Sequence, residues 1–231
     1  MQPEAPRVML LAAGRGARCR PATDRTPKPL LPIGETSLIE HLLSQLKAAG
    51  FTQCVINLGH LGQQLYTALG DGHRYGMSIQ YSWEDPILET AGGVIQALPL
   101  LGAAPFVVVS ADLWTDYPFA HLRDCVLAPG CLAHAVLVPN PPHHPAGDFS
   151  LEGQKVVMPT ATTYNYGGIG LYHPDFFAGC KPEVRALGPM LATSVRAGQV
   201  QGELYTGVWV NVGTLDILEQ LAQKLQADAS T

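Results

Sequence analysis

Two cationic residues near the N-terminus, Arg18 and Lys28, stand beside a glycine-rich loop and could bind phosphate groups. The loop contains Gly14 and Gly16 and follows an apolar run at residues 8–11, the pattern of a buried parallel strand. Glycine lets the backbone approach a ligand closely, so that backbone N–H groups can donate to phosphate oxygens. Lys28 lies between two prolines, which restrict the backbone that presents it. The combination predicts a triphosphate-binding loop; the alternative is a plain turn between a strand and a helix.

Two other phosphate-binding loops do not match this segment. A Walker A loop ends in Gly-Lys-Ser/Thr, which the segment lacks, and the dinucleotide fingerprint requires a third glycine where Cys19 stands. A dinucleotide-dependent dehydrogenase also needs an acidic residue after its second strand, where residues 57–60 read Asn-Leu-Gly-His. These two classes of protein are therefore set aside.

Asp112 is the carboxylate best placed in the sequence to bind a metal ion. It follows an apolar run at residues 106–109, which predicts a buried strand with Asp112 just beyond its carboxyl end. A carboxylate in such a place is costly unless it has a partner, and Mg²⁺ prefers a few carboxylates together with phosphate oxygens. The alternative is that Asp112 caps the N-terminus of a following helix.

Predicted strands and helices alternate through the first half of the chain. Strands are predicted at residues 8–11, 54–58, 79–81, 106–109, 133–138, 166–172 and 208–210, helices at 37–49, 62–69, 92–98, 189–197 and 214–226, and a hairpin at 149–157. This order predicts one α/β domain, Rossmann-like, with an open and mainly parallel mixed sheet and helices on both faces. Ligands of such sheets bind beyond the carboxyl ends of the strands, where the glycine loop and Asp112 both fall.

The composition provides ample material for a core and no long basic surface. Hydrophobic residues make up 47% of the 231 residues, charged residues make up 14%, and the net charge is −5. These values argue against a nucleic-acid partner, and no run of about 18 apolar residues indicates a membrane span. The N-terminus lacks the pattern of a secretion signal, and the five scattered cysteines are typical of reduced thiols. We expect a cytoplasmic protein, compatible with a monomer.

Five segments together resemble the signature of the sugar-1-phosphate nucleotidylyltransferases. They lie at residues 14–18, 27–30, 88–93, 110–112 and 209–214, and the resemblance covers nearly the whole chain. Further segments at 59–64, 69–72, 114–117 and 140–149 are similar to the short bacterial members that act on N-acetylmuramate 1-phosphate. The resemblance implies the nucleotide-diphospho-sugar transferase fold without a left-handed β-helix. It also implies uridylyl transfer from UTP to a sugar 1-phosphate in peptidoglycan recycling.

The same resemblance implies roles for individual residues. Arg18 would contact the β- and γ-phosphates and Lys28 the region of the reacting α-phosphate, as the catalytic cations. A Mg²⁺ cofactor would be held by Asp112 and by position 211, where Asn211 replaces the aspartate of the family. Asparagine offers a carbonyl oxygen without a charge, so we expect weaker metal binding and impaired activity.

The remaining assignments concern the two substrates. Nucleotide binding is assigned to Leu11, Ala12, Ala13, Gly14, Gly16, Glu84, Ala91, Gly92 and Ser110, with the base against the backbone of residues 11–13 and a turn at 91–92. Sugar-phosphate binding is assigned to Gly147, Asp148, Asn165 and Gly168. The nucleotide-binding half would span about residues 1–115 and the sugar-phosphate-binding half about residues 116–231.

Two alternatives to uridylyl transfer stay open at this point. The chain could transfer a guanylyl, thymidylyl or cytidylyl group to another sugar phosphate, because few residues select the base. It could also be a non-catalytic protein that binds a nucleotide sugar, a reading that Asn211 favours. The joint presence of Arg18, Lys28 and Asp112 argues for catalysis.

Overall fold

A nine-stranded mixed sheet runs through the molecule in the computed structural model, which describes residues 5–229. The strands are β1 (Val8–Leu11), β2 (Pro32–Ile33), β3 (Thr36–Ser37), β4 (Gln53–Leu58), β5 (Ser78–Trp83), β6 (Phe106–Ser110), β7 (Leu113–Thr115), β8 (Ala133–Val138), β9 (Ser150–Glu152), β10 (Lys155–Val157), β11 (Asn165–Tyr172), β12 (Val200–Leu204) and β13 (Trp209–Asn211). The helices are α1 (Leu38–Ala48), α2 (Gly62–Leu69), α3 (Glu89–Leu101), α4 (Ala120–Arg123), α5 (Leu187–Arg196) and α6 (Leu215–Ala229). Residues 1–4 and 230–231 of the domain predicted for 1–231 lie outside the described residues.

The sheet has a parallel half and a mixed half, in which β8 and β12 are parallel. Its strand order is β5-β4-β1-β6-β11-β8-β12-β10-β9. Strands β5, β4, β1 and β6 are parallel, whereas β11 runs antiparallel to both β6 and β8. Two short ribbons, β2 with β3 and β7 with β13, stand apart from the main sheet. The second ribbon brings the C-terminal part of the chain to the end of β6.

Helices cover both faces of the sheet, so the central strands are apolar throughout. Val8, Met9 and Leu10 of β1 are completely buried. Val8 and Leu10 pack in one core with apolar residues of α1 and α2, while Met9 packs in a second core with those of α3 and α5. Successive strand residues point to opposite faces, which explains this division. The predicted open, mainly parallel sheet with helices on both faces is confirmed.

Several predicted boundaries were wrong, and five elements were not predicted. Helix α3 begins at Glu89 instead of residue 92 and continues to Leu101. Strand β13 begins at Trp209, one residue later than predicted, and ends at Asn211, and the hairpin at 149–157 is present as β9 and β10. The short elements β2, β3, β7 and α4, and the sheet strand β12, had no prediction. Within residues 5–229, no helix is both long and apolar enough to cross a membrane.

Candidate active site

A cleft of about 660 Å³ opens at the carboxyl ends of β1 and β6. Its walls come from six separate segments of the chain. The lining residues are Leu11, Ala12, Ala13, Gly14, Arg15, Gly16, Ala17, Arg18, Lys28, Pro29, Asn57, Glu84, Ile87, Glu89, Thr90, Ser110, Asp112 and Gly213. The predicted phosphate loop, both predicted catalytic cations and the predicted metal ligand Asp112 therefore line one cleft.

The glycine loop is held in shape by contacts behind it. Gly16 has a φ of +60°, and a Cβ there would lie 2.9 Å from Thr23 Cγ2. The Thr23 hydroxyl donates to the Gly16 carbonyl at 2.9 Å. His60 donates its backbone N–H to Ala13 O at 3.1 Å, and its ring Nε2 lies 2.9 Å from Thr23 O. Only glycine fits position 16 without strain, because the chain both turns left-handed and packs closely there.

The amides of this loop remain available for a ligand. Among the described residues, no acceptor is found for five consecutive backbone N–H groups, those of Gly14, Arg15, Gly16, Ala17 and Arg18. The next amide, that of Cys19, donates to Gly16 O at 2.8 Å. A run of backbone amides facing one cleft can bind the oxygens of a phosphate group. The loop geometry therefore supports phosphate binding over the plain-turn alternative.

Lys28 and Asp112 form an ion pair inside the cleft. Lys28 Nζ donates to Asp112 Oδ2 at 2.6 Å, although the two residues are 84 positions apart in the chain. Lys28 is only 8% exposed, and it begins a short 3₁₀ turn at Lys28–Leu30. Asp112 is positioned by the end of β6, because the amide of Ala111, just after that strand, donates to Leu11 O at 3.1 Å. The segment after Asp112 is strand β7, so Asp112 does not cap a helix.

The β7–β13 ribbon brings the backbone of Asn211 beside that of Asp112, but Asn211 does not line the cleft. In the β7–β13 ribbon Asn211 is paired with Leu113, and the Val212 amide donates to Asp112 O at 3.0 Å. Gly213 does line the cleft, and a Cβ there would lie 3.5 Å from Arg18 Nη1. The ribbon therefore places the C-terminal motif against both Asp112 and the phosphate loop.

The oxygen atoms of Asp112 and Asn211 suit a hard cation that takes most of its ligands from groups outside the protein. Asp112 offers carboxylate oxygens and Asn211 an amide oxygen, which are the donors that Mg²⁺ prefers. Within residues 5–229, no group of three or more His, Cys, Asp or Glu side chains is placed to hold a metal ion. A metal at this position would need phosphate oxygens and water as its remaining ligands.

A buried clamp fixes the loop at the end of β1, and the sequence analysis did not identify its central residue. Asn57, at the end of β4, accepts a hydrogen bond from the Ala12 amide at 2.6 Å and donates to Glu84 Oε1 at 2.7 Å. Glu84 Oε2 accepts the Leu88 amide at 2.8 Å. Asn57 and Glu84 are 3% and 6% exposed. The Ala12 N–H, predicted to face the base, is therefore already bonded, and the base would have to use other groups.

The predicted turn at Ala91 and Gly92 is wrong, because both residues lie inside α3 and neither lines the cleft. Their amides donate to Arg185 O at 2.9 and 3.1 Å, and a Cβ on Gly92 would lie 2.1 Å from Glu183 O. Small residues here allow close packing of α3 against the chain before α5. The cleft is lined instead by three residues just before them, Ile87, Glu89 and Thr90, of which Glu89 has a φ of +63°.

Of the four predicted sugar-phosphate residues, one adjoins the cleft and three do not line it. A Cβ on Gly168 would lie 2.9 Å from the Oγ of Ser110, a cleft residue. Asp148 accepts the Tyr166 amide at 2.8 Å and pairs with His144 at 3.0 Å, so its carboxylate fastens a loop to β11. The remaining two, Gly147 and Asn165, do not line the cleft either. Their roles in sugar binding stay predictions.

Comparisons with known proteins agree with this architecture. The model of the nucleotidyl transferase family matches residues 7–145. The chain is 47% identical, over 93% of its length and 96% of the relative's, to the N-acetylmuramate alpha-1-phosphate uridylyltransferase of Neisseria meningitidis serogroup B. It is 30% identical, over 91% of its length and 93% of the relative's, to the enzyme of that name from Caulobacter vibrioides.

Solved structures share the fold at low sequence identity. A putative glucose-1-phosphate thymidylyltransferase from Bacillus anthracis, crystallised with a sucrose, superposes with a TM-score of 0.83 at 22% identity, over 95% of this chain and 94% of that one. A UDP-glucose pyrophosphorylase complexed with UDP-glucose gives a TM-score of 0.79 at 17% identity, over 97% and 99%. The fold, the cleft at its strand ends and the match over most of the chain agree: the chain belongs to the nucleotidyl transferase family.

Proposed function

We propose that this protein transfers the uridylyl group of UTP to the phosphate of N-acetylmuramic acid 1-phosphate, forming a UDP-sugar and releasing pyrophosphate. The observation that carries the proposal is the cleft in which unbonded loop amides, Arg18, Lys28 and Asp112 converge. The choice of UTP and of this sugar rests on the similarity to the Neisseria and Caulobacter relatives. The UDP-sugar would enter peptidoglycan recycling, which places the reaction in the cytoplasm, where UTP is available.

The reaction joins two anions, so the chain's main task is to offset repulsion and to orient the substrates. A sugar-phosphate oxygen attacks the α-phosphorus, the bond to the pyrophosphate breaks, and no protein nucleophile is required. The loop amides and Arg18 would hold the β- and γ-phosphates, where negative charge develops on the leaving group. Lys28, nearly buried beside Asp112, would stabilise the α-phosphoryl oxygens.

Mg²⁺ fits this site through Asp112 and Asn211, and when bound it would neutralise phosphate charge. The base would lie against the backbone at the end of β1, which the Asn57–Glu84 clamp keeps in one position. Ser110 and the adjoining Gly168 would mark the side from which the sugar phosphate approaches. On this proposal residues 1–115 bind the nucleotide, and the later half contributes Gly168, Asn211 and Gly213.

Pyrophosphate release tests the proposal directly. The chain and its Asn211→Asp variant are assayed with N-acetylmuramic acid 1-phosphate, a Mg²⁺ titration, and each of UTP, GTP, CTP and dTTP. We expect UTP to be preferred and the variant to need about tenfold less Mg²⁺ for half-maximal rate, because ligand charge tunes cation affinity. Preference for another triphosphate would refute uridylyl transfer.

One observation supports a second candidate, a protein that binds a nucleotide sugar without turnover. Asn211 stands where a second carboxylate would complete the metal site. That candidate predicts binding of UDP-N-acetylmuramic acid by calorimetry but no pyrophosphate release from either the chain or Asn211→Asp. Pyrophosphate release by the chain itself would exclude this candidate, and release at lower Mg²⁺ by Asn211→Asp would identify position 211 as a metal ligand.

A further inference from the structure

A second group of reactive side chains lies away from the cleft, on strands β8 and β12 and on the segment after α4. Strands β8 and β6 are parallel, because both run antiparallel to β11. His134, near the start of β8, is aligned through Leu171 with Val107, three residues before the cleft residue Ser110. At about 3.3 Å per residue and 4.8 Å per strand, His134 is well removed from the cleft.

The group consists of a thiol, an imidazole and a carboxylate in series. Cys125 Sγ lies 3.5 Å from His134 Nδ1, and His134 Nε2 lies 3.6 Å from Glu203 Oε1. The His134 side chain is 12% exposed, and its Nε2 is buried with no hydrogen-bond partner nearer than that carboxylate among the described residues. The imidazole is thus enclosed between the thiol and the carboxylate.

The surroundings hold each member in position. Tyr117 donates its hydroxyl to Glu203 Oε1, and His121 Nδ1 lies 3.6 Å from Glu203 Oε2. Gln201 Nε2 lies 3.7 Å from Cys125 Sγ and 3.2 Å from His134 Nδ1. Cys125 itself is partly exposed.

The charges favour an ionised pair. Burial lowers the pKa of His134, but its contacts with Cys125 and Glu203 outweigh burial and raise that pKa to about 9. The His134 imidazole, 3.6 Å away, chiefly lowers the pKa of Glu203, with further help from the hydroxyl of Tyr117. Both shifts favour a charged His134 opposite a charged Glu203. A cationic imidazole beside a thiol stabilises the thiolate, which is the nucleophilic form of cysteine.

We propose that Cys125 is a nucleophilic cysteine, activated by His134 and Glu203, that is modified by hydroperoxides. The thiolate attacks the terminal oxygen of the peroxide, an S–O bond forms and the O–O bond breaks. Cys125 is oxidised to the sulfenic acid, the peroxide is reduced, and the departing alkoxide or hydroxide takes the proton of His134. This places His134 as both activator and proton donor, and Glu203 as the group that orients it.

A metal site or a purely structural network at this cluster would behave differently. A metal site would require one ion to contact several of these ligands, but the imidazole separates the thiol from the carboxylate. A purely structural network would fasten the segment after α4 to β12 through Gln201, whose Nε2 also lies 3.2 Å from Val126 O. Such a network requires no reactivity at Cys125.

Site-resolved labelling of the full chain distinguishes a reactive thiol from a structural one. Limiting isotope-coded iodoacetamide is applied between pH 6 and 9, and each cysteine is quantified by mass spectrometry. Cys131 and Cys180 are also partly exposed and serve as internal references. We expect Cys125 to react at pH 7 at least about tenfold faster than either reference thiol. Equal rates for the three thiols would overturn the proposal.

Two variants test whether His134 and Glu203 activate the Cys125 thiol. His134→Asn and Glu203→Gln should each bring the Cys125 rate close to that of Cys131, with circular dichroism and thermal unfolding confirming that the variants are folded. Trapping of sulfenic acid with dimedone after stoichiometric hydrogen peroxide should give a Cys125 adduct in the parent chain and a several-fold smaller one in Glu203→Gln. A rate unchanged in a folded variant, or no adduct in the parent chain, would refute the mechanism.

Discussion

Lys28 can be tested with a substitution that removes its charge and keeps most of its volume, Lys28→Met. The ammonium is 2.6 Å from Asp112 Oδ2, and the Lys28 and Asp112 side chains are 10% and 26% exposed. Net contributions of hydrogen bonds between charged groups are about 1.5–3 kcal/mol, and the partial exposure of Asp112 favours the lower end. We therefore expect a loss of about 1–2 kcal/mol in unfolding free energy.

The expected effect on catalysis is larger than the effect on stability. Removing one group that stabilises transition-state charge costs about 10²- to 10³-fold in kcat. A stability loss of about 1–2 kcal/mol shifts the melting temperature of a chain this size by only about 2–8 °C. The variant should thus remain folded at 25 °C and release pyrophosphate at least about 100-fold more slowly.

Pyrophosphate release at saturating substrates and Mg²⁺, together with thermal unfolding of the same samples, measures both effects. Lys224→Met is the matched control, because Lys224 is an exposed residue of α6 and methionine keeps helix propensity. The control should retain the parent rate and melting temperature. If Lys28→Met keeps more than about a third of the parent rate while folded, the role given to Lys28 is wrong.

Three further predictions concern the clamp, α3 and the second cluster. Asn57→Ala removes the partner of the buried Ala12 amide and of Glu84 Oε1. KM for UTP should therefore rise about 5- to 30-fold with kcat changed less, as initial rates will measure. Gly92→Ala places a Cβ 2.1 Å from Glu183 O and should lower unfolding free energy by about 1–3 kcal/mol in urea titrations. Folding raises the pKa of His134 to about 9. The stabilisation that His134 contributes to the folded state is therefore complete below about pH 6.5 and is lost as the pH rises to 9. Unfolding free energy should therefore fall more over that range in the parent chain than in His134→Asn.

The parallel half of the sheet was predictable from sequence because helices cover both its faces. Strands such as β1 and β6 then read as continuous apolar runs, and the helix at 38–48 shows a clear helical spacing of leucines. Strand β12, Val200–Leu204, carries Gln201 and Glu203 within five residues and shows no such run. It pairs with β8, nearly 70 residues earlier, and that pairing has no local signal.

The residues of the site also differ in whether the local sequence reveals their role. The loop, Lys28 and Asp112 each belong to a short segment whose composition already indicates its chemistry, and the structure brings these segments to one cleft. Asn57 escaped prediction because its partners, Ala12 and Glu84, are 45 and 27 residues away. A lone asparagine after a strand acquires its role only when three strand ends meet.

The charge balance of the cleft bears on how Asn211 can be tolerated. Three basic residues, Arg15, Arg18 and Lys28, line the cleft with three acidic ones, of which Asp112 is the one paired to a lysine. An aspartate at 211 would add a second negative charge beside Asp112, which would favour a divalent cation but also compete for the Lys28 ammonium. With asparagine, Lys28 and Asp112 form a neutral pair that one cation or one phosphate can separate. The Asn211→Asp variant should therefore gain most at low Mg²⁺ and little at saturation, and equal gains at both would mean that position 211 acts on a step other than metal binding.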